Sequence, residues 1–166
     1  SVIANHGVKP GATPVARVLA SDGTPLELNE GPHGKRVLNA AAADQTAELL
    51  RGAIESSAGT AHSTAQIGRM AAGKTGTAQD YKAAWFVGFT PQLATAVWMG
   101  YSDTPKPLVN IKGVGQVFGG TWPARTWAAF MRPAHEGLPV IEFTKPGILP
   151  PPSSGIRHVP GDAEIP

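Results

Sequence analysis

At 166 residues and 42% hydrophobic content, the chain is long enough for one packed core and too apolar for compositional disorder. Its net charge of +2 comes without a basic cluster, which argues against a nucleic-acid partner, and the absence of cysteine excludes disulfides and thiol catalysis. Charged residues make up 16%, against roughly 25% in a typical soluble domain, which suits a piece partly covered by another segment. His6, His33, His62, His135 and His158 lack ligand spacing, so neither a metal site nor a cofactor is expected. Ser1 to Gly7 read like the end of an earlier element, with no signal peptide or membrane span, so the chain reads as a fragment.

Val15–Ala20 and Pro25–Leu28 flank Ser21-Asp22-Gly23-Thr24, a turn that predicts a short β-hairpin. Gly31-Pro32-His33-Gly34 then breaks the chain. Asn39 is placed to cap a helix from about Ala40 to Ser56, with Ala43, Ala47, Leu50 and Ile54 at helical spacing and Gly59 as its stop. Arg51 and Glu55 lie one turn apart on the wet face, and Leu49 and Leu50 read as core. A strand is expected from Arg69 to Ala78, followed by a polar turn at Gln79–Lys82. Ala83–Thr90 and Leu93–Tyr101 are separated only by Pro91-Gln92, too short for a crossover helix, so the three runs predict an antiparallel meander. Trp85, Phe89 and Trp98 are expected to pack on helices.

Ser102 to Gly119, rich in proline and glycine, reads as a loop. Thr121 as cap and Pro123 in the first turn predict a final helix lying on the sheet, with Trp127, Phe130, Met131 and Ala134 on one face and Gly137 as its stop. Half of the 16 prolines lie beyond Met131, so residues 144–166 read as a linker or exposed tail.

The densest chemistry lies in Ala71-Ala72-Gly73-Lys74-Thr75-Gly76-Thr77-Ala78. Gly68 through Thr75 satisfies G-x-x-x-x-G-K-[ST], a phosphate-binding loop, while Lys74-Thr75-Gly76 satisfies K-T-G. A phosphate loop needs a buried strand before it and a helix after it. The flanks offer neither, since the upstream residues are small and polar and the downstream run is aromatic and strand-like. If the strand sits at a sheet edge, an extended peptide could add to it. Gly76 would allow close approach, the Thr75 and Thr77 hydroxyls could hold a carboxylate beside Lys74, and the Thr77 N–H could face a developing oxyanion. Strict alternation puts Lys74 and Thr75 on opposite faces, so both serve one site only at an edge or in a twisted strand. From these residues alone, a solvated lysine on a Gly/Thr-rich strand is an equal reading.

The wider array breaks that tie. Ala72–Ala78, Asp80-Tyr81-Lys82, Ala84-Trp85-Phe86-Val87-Gly88-Phe89-Thr90-Pro91 and Val97-Trp98-Met99-Gly100-Tyr101 resemble the transpeptidase domain of class A penicillin-binding proteins. Gly119-Gly120-Thr121 with Pro123-Ala124 and Trp127 resembles the start of that family's last helix, and Leu50-Arg51-Gly52 with Gly59-Thr60-Ala61 its approach to the K-T-G strand. The similarity spans residues 1–143. It implies an α+β fold, an antiparallel sheet flanked by helices, of which this is the C-terminal half. It implies a serine acyl-enzyme formed on D-Ala-D-Ala stem peptides, transfer to a neighbouring stem, and trapping by β-lactams. By position, Lys74, Thr75, Gly76 and Thr77 would bind the substrate carboxylate, with Lys74 tuning the charge and the Thr77 N–H forming half of the oxyanion hole.

The S-x-x-K nucleophile motif and the S-x-N motif are absent. The expected partner is therefore a complementary N-terminal half carrying the serine, with membrane attachment only through that upstream segment and a location on the outer side of the cytoplasmic membrane. Ser63 with Lys74 is the one internal nucleophile pair to weigh, and a loop role for Ser63 is the better reading. The alternatives are a non-catalytic module of the same fold binding stem peptide or β-lactam, a β-lactamase or carboxypeptidase, and a nucleotide hydrolase.

Overall fold

The structure, a computed structural model, describes residues 2–11, 17–26 and 34–149. Four short strands come first: β1 (Val8–Lys9), β2 (Val18–Leu19), β3 (Pro25–Leu26) and β4 (Lys35–Arg36). β1 pairs with β4 and β2 with β3, both antiparallel. The second pair is the hairpin expected around Asp22-Gly23. Gly23 takes φ +83°, and the Asp22 carboxylate accepts the Thr24 N–H at 2.9 Å, which holds the Asp22 carboxyl below its ordinary range. Val15, Ala16, Glu27 and Leu28, the break at residues 31–33 and residues 150–166 lie outside the described residues; 144–149 carry no helix or strand.

Helix α1 (Ala40–Glu55) starts where Asn39 predicts, the Asn39 side chain accepting the Ala42 N–H at 3.3 Å. Ala43, Ala47 and Ile54 are buried, and Arg51 forks onto Glu48 and Glu55 at 2.6 and 2.7 Å. The helix ends at Glu55 with Ser56 as its cap, and Gly59 follows close against the last turn. Leu49 is not core: it is 81% exposed. At 100° per residue it points well away from the Ala43–Ala47–Ile54 stripe, and only Leu50 reaches the packed side.

β5 (Ala72–Thr77), β6 (Ala83–Phe89) and β7 (Ala94–Gly100) form the predicted meander, with β6 central. Opposite residues share a face, so Thr75, Phe86 and Val97 lie on one side and Gly76, Trp85 and Trp98 on the other. α2 (Trp122–Ala134) crosses β6 and β7 on the Phe86 side, and α1 runs beside β5. The main core joins Ile54 of α1, Phe86, and Ala124, Trp127, Ala128 and Met131 of α2. His135 donates from Nδ1 to the Met131 carbonyl at 2.7 Å and accepts the Thr90 hydroxyl at Nε2 at 2.8 Å, tying the end of α2 to the β6–β7 turn.

The structure corrects four further expectations. Trp85 and Trp98 face away from α2, side by side with ring centroids 6.3 Å apart and planes tilted by 55°, each 45% exposed. Phe86 takes the helix-facing place, because pleating sends alternate residues to opposite sides. Of the three aromatics only Phe89 meets a helix, through Ala47 and Leu50 of α1. Phe130 is 55% exposed, since Ala124 and Ala128 shift the buried stripe of α2 away from it. Thr121 stands at the cap position, but its hydroxyl donates to the Phe118 carbonyl at 2.7 Å and accepts the Phe118 N–H at 3.0 Å. Finally, the segment read as a loop contains a hairpin, β8 (Val109–Ile111) and β9 (Val114–Gln116), turned at Lys112-Gly113 with φ +46° and +81°.

Candidate functional site

β5 is an edge strand among the described residues, and its ladder fixes which backbone groups are open. Just past its end, the Ala78 N–H donates to the Ala83 carbonyl at 2.9 Å. Antiparallel pairs alternate, so the even-numbered residues of β5 bond to β6. Gly73, Thr75 and Thr77 therefore direct their N–H and C=O groups away from β6, to the free edge. Among the described residues no backbone group takes up those of Thr75 or Thr77.

Lys74 leaves the Trp85 face and reaches that same edge, where its Nζ donates to the Thr75 carbonyl at 2.8 Å. The conflict between pleat alternation and a shared site is thus resolved by the edge: Lys74 and Thr75 point to opposite faces but meet at one line of backbone. The Thr75 hydroxyl lies 3.2 Å from the Thr60 hydroxyl, and Thr77 Oγ1 accepts the Gly119 N–H at 3.2 Å. A hydroxyl that accepts one bond still has a proton to donate, so Thr77 can serve an anion at the edge. Gly76 has Trp85 as its close neighbour: a Cβ there would sit 3.3 Å from the Trp85 Cβ.

Thr60 and Gly119 are the members that spacing alone does not supply. Gly119 presses its backbone onto the strand pair; a Cβ on it would fall 2.3 Å from the Trp85 carbonyl oxygen and 2.8 Å from Gly76 N. Gly119→Ala is expected to destabilise the fold by about 1–3 kcal/mol through overpacking against backbone that has nowhere to move. Thermal unfolding of the variant checks this. A Tm equal to wild type would mean that the 118–120 turn does not press on β5.

The phosphate-loop pattern ends inside β5, and a short turn and β6 follow where that site would need a helix. The geometry therefore excludes the nucleotide-binding reading. Ser63 is exposed in the turn before β5. Among the described residues no three His, Asp or Glu side chains cluster as metal ligands, and no helix is long and apolar enough to cross a membrane.

What remains is an open, lysine-bearing edge with outward N–H groups, suited to an extended peptide ending in a carboxylate. The sequence profile described as the penicillin-binding protein transpeptidase domain matches residues 1–118. The chain belongs to the penicillin-binding protein transpeptidase family. Penicillin-binding protein 1A of Mycolicibacterium smegmatis is 35% identical over 91% of this chain, and the match covers 21% of that relative. The penicillin-binding protein PonA1 of Mycobacterium tuberculosis superposes with a TM-score of 0.73 at 32% identity, covering 89% of this chain and 39% of that one. The same protein in complex with penicillin V gives 0.72 at 31% identity, covering 92% and 42%. This chain thus spans about a fifth of the length of that curated relative. The transpeptidase-domain fold, mixed α and β with antiparallel sheets, is the one described above.

Proposed function

We propose that this chain supplies the carboxylate-binding and oxyanion side of a serine D,D-transpeptidase site, and that the serine comes from an upstream half of the same domain. The observation carrying the proposal is the outward set of Thr75 and Thr77 backbone groups with Lys74 Nζ beside them. In the reaction, the serine oxygen attacks the penultimate D-Ala carbonyl. The peptide C–N bond breaks, and terminal D-Ala leaves with the proton. An amine of a second stem then attacks the ester and frees the serine. Lys74, Thr75 and Thr77 hold the substrate carboxylate, and the Thr77 N–H stabilises the charge developing on the carbonyl oxygen. A β-lactam enters the same site and stops at the acyl-enzyme; PonA1, solved with penicillin V, supports this reading by likeness.

The sheet supports an upstream partner as well. Trp85, Val87 and Trp98, each about half exposed, make an apolar face that no described element covers. Such a contiguous patch on one side of a sheet is expected to be buried by another segment.

Labelling the intact protein with a fluorescent penicillin, and resolving it on a denaturing gel with intact masses, tests the function. Label on a segment outside this chain is the expected result. Label on Ser63 would overturn the division of roles. No label with the complementary half present would instead favour a non-catalytic binding module.

A further inference from the structure

After α2, residues 139–149 carry no helix or strand and pass the β6–β7 turn to reach α1. Among the described residues no backbone–backbone bond holds this strap; side chains do. At its root, the Arg69 guanidinium donates to the carbonyls of His135, Leu138 and Pro139 at 3.3–3.4 Å, and to Gln92 Oε1 at 3.2 Å. At its far end, Gln45 Nε2 of α1 donates to the Gly147 carbonyl at 3.2 Å. Between these points Phe143 meets Phe89 edge-on, ring centroids 5.7 Å apart, and packs on the cluster of Ala47, Ala72 and Phe89. Among the described residues it is the one strap side chain in a core cluster. The strap is otherwise loosely seated, with a cavity of about 190 Å³ between it and His6, Asp44 and Ala47.

These anchors bear on the start of the K-T-G strand. Arg69 lies three residues before β5. Ala72 opens β5, pairs with Phe89 across the ladder and shares its cluster with Ala47 of α1. Lys74 follows about 7 Å along the strand, whereas Thr77 stands about 17 Å away at its other end. Loss of the strap from Phe89 and Ala72 therefore loosens the Lys74–Thr75 end more than the Thr77 end. A binding group displaced by about 1 Å loses much of its effect, so the two ends report separately.

We propose that the 139–149 strap positions Lys74 and Thr75 for the substrate carboxylate, with Phe143 as a positioning residue that acts through Phe89 and Ala72. The Thr77 N–H, at the far end, is left in place when the strap is loosened. The proposal rests on the transpeptidase reading.

The test uses the intact protein and one penicillin as its free acid and as its methyl ester. Second-order acylation rates are compared as a preference for the acid, which reads the carboxylate contacts and not general loss of fold. Phe143→Ala is expected to cut that preference about fivefold, the size of one weakened hydrogen bond. Phe143→Leu keeps apolar cover over Phe89 and should restore most of it. Gln45→Leu removes only the bond to Gly147, and is expected to cut the preference about twofold, which gives a reading should the alanine variant not fold. A preference that neither Phe143→Ala nor Gln45→Leu moves, whether or not both agents slow together, would overturn the strap's role while leaving the transpeptidase reading intact. Wild-type protein in which the free acid acylates no serine would bring down that reading and the strap's role with it.

Discussion

Thr77→Pro is expected to slow penicillin acylation of the intact protein by about 10²–10³-fold, the loss typical of deleting one oxyanion donor. Proline removes the N–H, and at this position that N–H serves no ladder bond, because residue 77 points its backbone to the free edge. Edge positions of this kind are where sheets tolerate proline, and Gly76 before it already has the extended backbone a proline requires. The fold should therefore survive, with Tm close to wild type. The variant also loses a hydroxyl, so Thr77→Val is the comparison: it keeps the N–H and loses only the side-chain bond with Gly119 and any bond to the carboxylate. A loss of about tenfold is expected for valine. If proline and valine slow acylation equally, the Thr77 N–H is not an oxyanion donor.

That prediction depends on something the sequence contains only in part. The K-T-G strand, its turn and the two strands after it were legible because Pro91-Gln92 leaves no room for a crossover and alternation marks the runs. Helix α1 was legible to within a residue through Asn39 and its apolar spacing. Periodicity says that two faces exist, but not which one a helix covers. Nothing in the local pattern tells Trp85 and Trp98 from Phe86, and it is Phe86 that holds the helix side. Thr60 and Gly119 reach the site across 15 and 42 residues, which no local pattern encodes. The β8–β9 hairpin was hidden by its glycines, although Val109, Ile111 and Val114 around Lys112-Gly113 carry a weak signal for it. Which groups of β5 face outward became readable only once its pairing partner was known.

The largest expected effect on stability lies away from the site, at Trp127. This side chain is fully buried, meets Phe86 edge-on at 5.2 Å and donates from its indole nitrogen to the Gly88 carbonyl at 3.2 Å. It fits over Gly88 because that position has no side chain: a Cβ there would come within 2.7 Å of the indole. Trp127→Ala empties the centre of the core between α1, α2 and the sheet, and is expected to cost about 3–5 kcal/mol. In a domain of this size that lowers Tm by about 10 °C. Trp127→Phe keeps most of the volume but not the N–H, and should lie between alanine and wild type. The complementary change, Gly88→Ala, should destabilise through overpacking by about 1–3 kcal/mol in the wild-type background. In the Trp127→Ala background it should cost less, since the indole is gone, the Phe86 ring at 2.9 Å can shift into the space it leaves, and the methyl group fills part of the void. The coupling between the two positions, read as a double-mutant cycle in thermal unfolding, separates a direct contact from a general loss of core. Additive costs would mean that Trp127 does not seat on Gly88, and the packing of α2 that holds the β5–β6 pair in register would need another anchor.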